Sequence, residues 1–487
     1  MADQITTTLS DSILVMKFGG TSVGNADAFR QVMHIISRTR RDWSHMLVVT
    51  SAMAGVTNTL LESAQHASRG DTPFFKQAAE NLRTQHIHVL DTFVTDPAAR
   101  AHVREQIEPF IVDFLNFCQA LSILGEATPR ALDSIAALGE RMSVRLLAAM
   151  LENCGIPSQA VDATELIVTD DAFQSAHPDF SASSARAHQV LFPIMQAGRL
   201  PIVTGFIAAT SSGVTTTLGR GGSDYSAAIL GSILSAREVW IWTDVDGVMS
   251  ADPRLIRQAR TIPELSYRET AEMAFYGAKV LHPRTIRPII DAGIPLRVCN
   301  TFNPDNPGTR IVSDSAFVSN GIIKAVTAIP GLSLITVEGK GMLGVPGVAA
   351  RTFAAVALSG TSVPLITQAS SEQSICFIVP LESARQVVTS LQKDFVVEIA
   401  NRDIDRIWET DEVVIVTVVG AGMRSTPGVA GRVFSKLGQN KVNVIAIAQG
   451  SSEVSISLVV NAADAQSAVQ AIHTLIFQSA DSMGDAS

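Results

Sequence analysis

The sequence predicts an α/β protein whose mostly parallel, helix-covered central sheet is followed by two ferredoxin-like βαββαβ modules. Three observations carry this expectation. Short β-branched apolar runs alternate with amphipathic helical stretches through the first half, and loops rich in glycine and hydroxyl residues follow several of those runs. Near the C-terminal end, a set of motifs recurs at a constant offset of 81 residues. At 487 residues, with 46% hydrophobic and 17% charged side chains, the chain is long enough for several domains and too apolar for disorder.

The runs Ile13–Phe18, Met46–Ser51, Leu200–Phe206, Val239–Thr243 and Pro295–Cys299 are apolar on both faces, as strands covered on both sides must be. Helical stripes fall between them. Phe29, Val32, Met33 and Ile36 form one; Ile107, Ile111, Phe114, Cys118 and Leu121 a second; Leu132, Ile135, Leu138, Met142 and Leu146 a third. In an open parallel sheet the C-terminal strand ends share one edge, and ligands bind there. Four glycine- and hydroxyl-bearing loops follow strands: KFGGTS (17–22), SAMAGVTN (51–58), LGRGGSD (218–224) and TDVDGV (243–248). They predict one shared site.

Glycines let backbone N–H groups approach an anion, and a helix N-terminus adds favourable partial charge. Gly19 and Gly20 precede the helix expected near Asn25–Arg41; Gly219, Gly221 and Gly222 precede one expected near Ser223. Lys17 and Arg220 add full positive charge beside these loops, which suits a triphosphate, whose transfer depends on positioning and charge neutralisation. A single Gly-Gly loop reads more readily as a turn, and two such loops, each with a basic residue, bring the phosphate reading level with it. No GxxxxGK[ST] loop and no HRD or DFG set occurs, which disfavours the P-loop and protein-kinase classes.

The formal net charge of -9 argues against a nucleic-acid or anionic-membrane partner. Residues 1–12 are polar, without the basic and apolar regions of a signal peptide, and no apolar run approaches the roughly 18 residues that span a bilayer. Cys118, Cys154, Cys299 and Cys376 lie far apart and read as thiols of a reducing compartment, neither disulfides nor metal ligands. A cytoplasmic location is expected.

The segments KFGGTSV (17–23), SAMAGVTN (51–58), LGERMS (138–143), TTLGRGGSDYSAA (216–228), WTDVDGV (242–248), ADPR (251–254) and YGAKVLHPRT (276–285) resemble the signature set of aspartate kinases. These enzymes have the amino-acid kinase fold. The resemblance runs in order over almost the whole chain and implies transfer of the ATP γ-phosphate to the β-carboxylate of L-aspartate, giving 4-phospho-L-aspartate. Mg²⁺ would accompany the nucleotide, with no protein metal site of its own. By position, Lys17 would contact the transferring phosphate, with Phe18, Gly19 and Gly20 in its loop, and Asp224 would orient Lys17, beside a plain helix-capping role. Arg220 would hold the substrate α-carboxylate, where a guanidinium fork fits. Glu140 would bind the α-ammonium, although its residue type in a helix reads alone as a solvated position. Ser51, Thr57 and Ser223 would meet the reacting substrate. Thr243, Asp244, Met249, Arg254 and Lys279 would line the nucleotide pocket. Many members carry Tyr at the position of Met249, so an altered ATP affinity is expected. His282 and Cys299 read as structural, because the substrate carboxylate itself attacks.

Asn303–Gly308 is dense in turn formers and punctuates the chain. Beyond it lies the repeat: Gly341-Met342, Pro346–Ala349, Arg351, Phe353, Gln368 and Ser370–Glu372 recur as Gly422-Met423, Pro427–Ala430, Arg432, Phe434, Gln449 and Ser451–Glu453. Each copy reads strand (Leu332–Val337; Val413–Val418), helix, strand (Val363–Thr367; Val442–Ala446), strand (Ile375–Val379; Val454–Val460), helix. The second copy lacks a final strand of its own, and Ile322–Thr327 is expected to complete a sheet out of sequence order. Gly339-Lys-Gly-Met-Leu-Gly344 matches GxGxxG, but no acidic residue ends the next strand and Pro346 interrupts the helix entry, which argues against dinucleotide binding.

The paired modules resemble ACT domains, which bind amino acids. ITQASSE (366–372) and IAQGSSE (447–453) resemble segments of threonine-sensitive aspartate kinases, above all the kinase half of bifunctional aspartate kinase–homoserine dehydrogenases. That resemblance makes Gln368 and Gln449 the effector contacts, threonine a better effector than lysine, and a homodimer or larger homo-oligomer the assembly. The same glutamines could instead only satisfy backbone groups at sheet ends. The expected organisation is a catalytic domain over 11–302, a linker over 303–320, ACT modules over 321–402 and 403–477, and a tail over 478–487. The rival readings are another amino-acid kinase of glutamate type and a catalytically inactive amino-acid sensor.

Overall fold

The computed structural model describes residues 13–277, 281, 283–314, 322–368, 373–450 and 452–481. They fold as two compact units. One comprises Met1–Val248, Thr261–Tyr267 and Val280–Phe317; the other comprises Met249–Arg260, Arg268–Lys279 and Val318–Ser487.

The first unit is built on an eight-stranded sheet. Its strands are β1 (Ile13–Phe18), β2 (His45–Thr50), β3 (Ser158–Val161), β4 (Leu200–Thr204), β5 (Glu238–Thr243), β6 (Glu264–Ser266), β7 (Leu296–Asn300) and β8 (Thr309–Val312), in the order β6-β8-β7-β5-β1-β2-β4-β3. The five apolar runs read from the sequence are the five adjacent strands β7, β5, β1, β2 and β4, and every pairing among them is parallel. Thr309–Val312, inside the stretch expected to be a linker, instead pairs with β7 and β6, so the sheet continues past the turn-rich punctuation.

Helices cover the sheet: α1 (Ala26–Thr39), α2 (Val56–Ser68), α3 (Thr72–Phe93), α4 (Pro97–Leu124), α5 (Pro129–Asn153), α6 (Phe180–Gln196) and α7 (Gly222–Ile233). Their starts are written locally. Asn25, Asp71, Asp96 and Thr128 each accept from the amide three residues on, and three of those helices carry Pro in the first turn. All three apolar stripes enter one core, only Leu132 staying half-buried. By length and composition α4 is apolar enough to cross a membrane. Here its stripe Ile107, Ile111, Phe114, Cys118 and Leu121 is buried in that core.

In the second unit a six-stranded sheet contains β9 (Ala325–Glu338), β10 (Leu365–Gln368), β11 (Ser374–Pro380), β12 (Arg406–Val419), β13 (Ala446–Ala448) and β14 (Ser455–Asn461), ordered β10-β11-β9-β12-β14-β13. β9 and β12 pair antiparallel from Ala325↔Val419 to Glu338↔Arg406, with register shifts between Ile329 and Leu334. Each long strand serves both repeats. Val326 packs with Val416, Val418 and Ile456 of the second copy, whereas Ile407, in the leading half of β12, packs with Ile335, Val337 and Phe377 of the first. The out-of-order strand expected from Ile322–Thr327 is thus the leading half of β9. The second copy's middle strand starts later than its apolar run suggested, at Ala446 instead of Val442. Lys441 turns left-handed (φ 57°) and the Val442 amide donates to the Leu437 carbonyl, so Val442 closes the preceding helix and buries its side chain there.

The GxGxxG glycines also find their reason. A Cβ on Gly339 or Gly341 would run into the backbone of Asp403, and one on Gly420 into that of Ile322. They allow each loop to lie against the chain entering the other repeat's strand. The loops differ in what holds them. In the first copy the Lys340 amide donates to the exposed Asp405 at 3.2 Å. In the second, 81 residues on, the Ala421 amide donates to Glu269 at 2.6 Å. Glu269 is fully buried and lies 3.7 Å from Lys324, the repeat counterpart of Asp405.

Candidate active site

A single row crosses the C-terminal edge of the first sheet, with Thr204, Thr50, Phe18, Trp242 and Cys299 in register on β4, β2, β1, β5 and β7. Three of the four loops leave from it, whereas LGRGGSD (218–224) leaves the short strand Thr215–Thr217 of a separate four-stranded sheet. The Ser51 amide donates to the Phe18 carbonyl, that of Gly19 to Trp242, and that of Gly205 to Thr50. Three of the four loops, with α5, enclose a cavity of about 530 Å³.

On the floor Lys17, almost buried at the end of β1, lies 2.6 Å from the Asp224 carboxylate in the first turn of α7. The Ser51 hydroxyl donates to the Ser223 hydroxyl at 2.9 Å. Gly219 and Gly221 hold φ of 76° and 72°, where a side chain would be strained, and between them Arg220 projects as an exposed guanidinium. Gly221 caps α7 without a side chain, and Gly55 does the same for α2, so two helix N-termini border the cavity. Both favour an anion there.

Glu140 on α5 is the strongest electrostatic feature. It is 2% exposed, accepts from the Ala52 amide at 3.3 Å, and leaves its Oε2 buried with no hydrogen-bond partner. Burial pushes its carboxyl up to about 8, against the opposing pull of that amide. Such a group favours a cation beside it. Two turns earlier on the same helix, Asp133 is equally buried, yet its oxygens accept from the amides of Gln174 and Thr217, both at 2.9 Å, and from the Thr217 hydroxyl at 2.8 Å. Burial raises its carboxyl and the three donors oppose that.

Lys17, Gly20, Ser51, Thr57, Glu140, Arg220, Ser223 and Asp224 therefore line one cavity. The solvated reading of Glu140 and the capping reading of Asp224 do not hold, since Glu140 is buried and Asp224 caps no amide. Phe18, expected at the nucleotide, is fully buried and stacks on Trp242 at 5.9 Å, so only its backbone reaches the edge. Gly19, Thr243 and Asp244 stand at the same edge outside the cavity lining, and the Thr243 hydroxyl donates to Asp244 at 3.1 Å. Met249 and Arg254 belong to the second unit, where Arg254 pairs with Asp252 at 2.6 Å. Lys279 and His282 lie outside the described residues, as do residues 370–372. Cys299 is buried, and burial pushes its thiol up to about 12, in keeping with a structural role. Gln368 ends β10 and Gln449 directly follows β13, both exposed. Sequence reasoning missed Asn58, Asp133, Gln174 and Phe206 in the lining. The seven-residue spacing of Asp133 and Glu140, one face of a helix, was the signal for the second of these.

Residues 12–300 match the Amino acid kinase family, and residues 335–395 and 416–475 match the ACT domain. Bifunctional aspartokinase/homoserine dehydrogenase 1 of Arabidopsis thaliana is 36% identical over 96% of this chain and 51% of its own. The chain thus spans about half the length of the curated bifunctional relatives it matches. Aspartokinase 1 of Arabidopsis thaliana is 32% identical over 96% of this chain and 80% of its own. Among solved structures, Escherichia coli aspartokinase III in complex with aspartate and ADP is 31% identical, covers 96% of this chain and all of its own, and superposes with a TM-score of 0.76. The chain belongs to the amino acid kinase family, with ACT domains following the kinase part and aspartokinases as its relatives.

Proposed function

We propose that the chain is an aspartate kinase, transferring the ATP γ-phosphate to the β-carboxylate of L-aspartate, with regulation through its ACT repeats. The observation that carries this reading is Glu140: a buried carboxyl with one unpartnered oxygen, in a cavity that also holds the Arg220 guanidinium and the Lys17 ammonium. A zwitterionic amino acid with a second carboxylate matches that charge pattern. Its ammonium meets Glu140, its α-carboxylate takes the fork of Arg220, and its β-carboxylate lies by Ser51, Ser223 and Thr57. The Escherichia coli relative was solved with aspartate and ADP.

In this reading the substrate carboxylate attacks the γ-phosphorus in line while the bond to the leaving ADP oxygen breaks. Lys17, held by Asp224, neutralises charge on the transferring phosphoryl group. Phe18, Gly19 and Gly20 shape the phosphate loop, and Thr243, Asp244, Met249, Arg254 and Lys279 carry the nucleotide roles implied by resemblance. Mg²⁺ would be held mainly through the nucleotide phosphates, where it supplies charge neutralisation. The protein donor set suits that, because Asp224 is engaged by Lys17 and Asp133 by three donors.

Threonine, more than lysine, is the proposed effector, acting at Gln368 and Gln449; the Escherichia coli relative has been solved with lysine. The sheet edges at β10 and β13, where Ile366 and Ile447 are exposed, suit pairing with a second copy of the chain. Four unpaired cysteines fit a reducing, cytoplasmic setting. The test is ADP release with L-aspartate, L-glutamate and N-acetyl-L-aspartate in parallel, with threonine and lysine titrated. Turnover of aspartate alone is expected. Turnover of the N-acetyl compound would overturn the role of Glu140, and absence of turnover with every acceptor would overturn the kinase reading.

A further inference from the structure

Arg220 is the most exposed of the charged groups around the cavity and forms no ion pair among the described residues. Its direction depends on the backbone of its loop. That loop leaves the short strand Thr215–Thr217 at Thr217, and its first turn rests on the segment around Gln174. A Cβ on Gly219 would meet the Gln174 carbonyl at 3.0 Å, and the Ala176 amide donates to the Thr217 carbonyl at 2.9 Å. Gln174 itself is held at a φ of 67°, an uncommon conformation for a residue with a side chain. The same carboxylate, Asp133, accepts from both segments at once.

We propose that Asp133 is a positioning residue for substrate recognition: it ties the Gln174 turn to Thr217 and so aims Arg220 at the α-carboxylate of the amino-acid substrate. The inference rests on the kinase reading above for the identity of that substrate. Asp133 and Glu140 share one face of α5, so one rigid helix sets both ends of the recognition: Glu140 by direct contact, and Asp133 through the loop. A buried carboxylate with three donors is suited to this task, because removing it strands two backbone amides away from water.

The experiment compares Asp133→Ala with Asp133→Asn in the full chain. An asparagine can accept both amides through its oxygen while its NH₂ donates to the Thr217 hydroxyl, so it preserves the tie without the charge. Asp133→Ala should raise the aspartate KM by about tenfold or more and leave the ATP KM within about twofold, whereas Asp133→Asn should stay within about threefold of wild type on both. Equal changes in both KM values, or no change, would overturn the proposal. An Asn variant as impaired as Ala would do the same, by assigning the effect to charge. Hydrogen exchange at the Gln174 and Thr217 amides provides a reading independent of turnover, with protection expected in wild type and Asn and lost in Ala. If wild type fails to turn over aspartate, the functional reading falls, while unchanged exchange in the Ala variant would remove Asp133 from its role.

Discussion

The Lys17 ammonium and the Asp224 carboxylate are 2.6 Å apart, and both side chains are more than four-fifths buried. Lys17 comes from the end of β1 and Asp224 from the first turn of α7, so the pair joins the two glycine loops at the cavity floor. The pairing cancels a charge that would otherwise be costly to bury, and it fixes where the cation points. Lys17→Ala should therefore lower kcat by about 10²–10³ in an ADP-release assay, with the protein still folded by circular dichroism. Near-normal turnover would remove Lys17 from phosphoryl transfer.

If Glu140 holds the substrate ammonium as proposed, aspartate binding should be proton-linked. With its carboxyl pushed up to about 8, the free protein carries a proton there near neutral pH, and an arriving ammonium drives it off. Calorimetry at pH 7 in buffers of different ionisation enthalpy should show release of most of one proton per aspartate bound. The release should fade above about pH 9 and vanish in Glu140→Gln.

The same residue sets a stability trend. Its folded value lies well above the ordinary 4.5, so between about 4.5 and 8 the folded state holds a proton that the unfolded chain has lost. Its contribution is intact below that window and is lost as pH rises through it. The melting temperature of Glu140→Gln relative to wild type should climb steadily from pH 5 to pH 8. A flat difference would contradict the buried, protonated state.

Arg220→Lys keeps the charge of the loop and loses the planar fork. The aspartate KM should rise by about tenfold while kcat changes less, because the α-carboxylate is remote from the reacting atoms.

Equivalent substitutions in the two repeats should differ sharply. Glu269→Ala removes a fully buried carboxylate that holds both Lys324 and the Ala421 amide, and should destabilise the second unit by about 3–5 kcal/mol. Asp405→Ala removes an exposed acceptor and should cost at most about 1 kcal/mol. Denaturant titrations of the two variants check this directly.

Five strands of the central sheet, β7, β5, β1, β2 and β4, were legible because they are apolar runs, and Lys17, Ser51 and Thr57 were legible because they end or follow such runs. What the sequence hid were contacts made at a distance. Nothing local in Asp133 announces that it will accept from Gln174 and Thr217, 41 and 84 residues away. Glu140 alone looks like a surface helix residue, and only the packing of Ala52 and α2 beside it shows that it is dry. Val442 misled for the opposite reason: a β-branched residue serves helix closure as readily as a strand, and tertiary packing decided between them. Thr309–Val312 is a short strand that the turn-rich segment before it concealed.

Because β9 and β12 each run through both repeats, the duplicated half cannot be divided by a cut in the middle. Severing the chain near residue 402 would leave each fragment with a strand designed for its sibling and an open edge where that sibling had been.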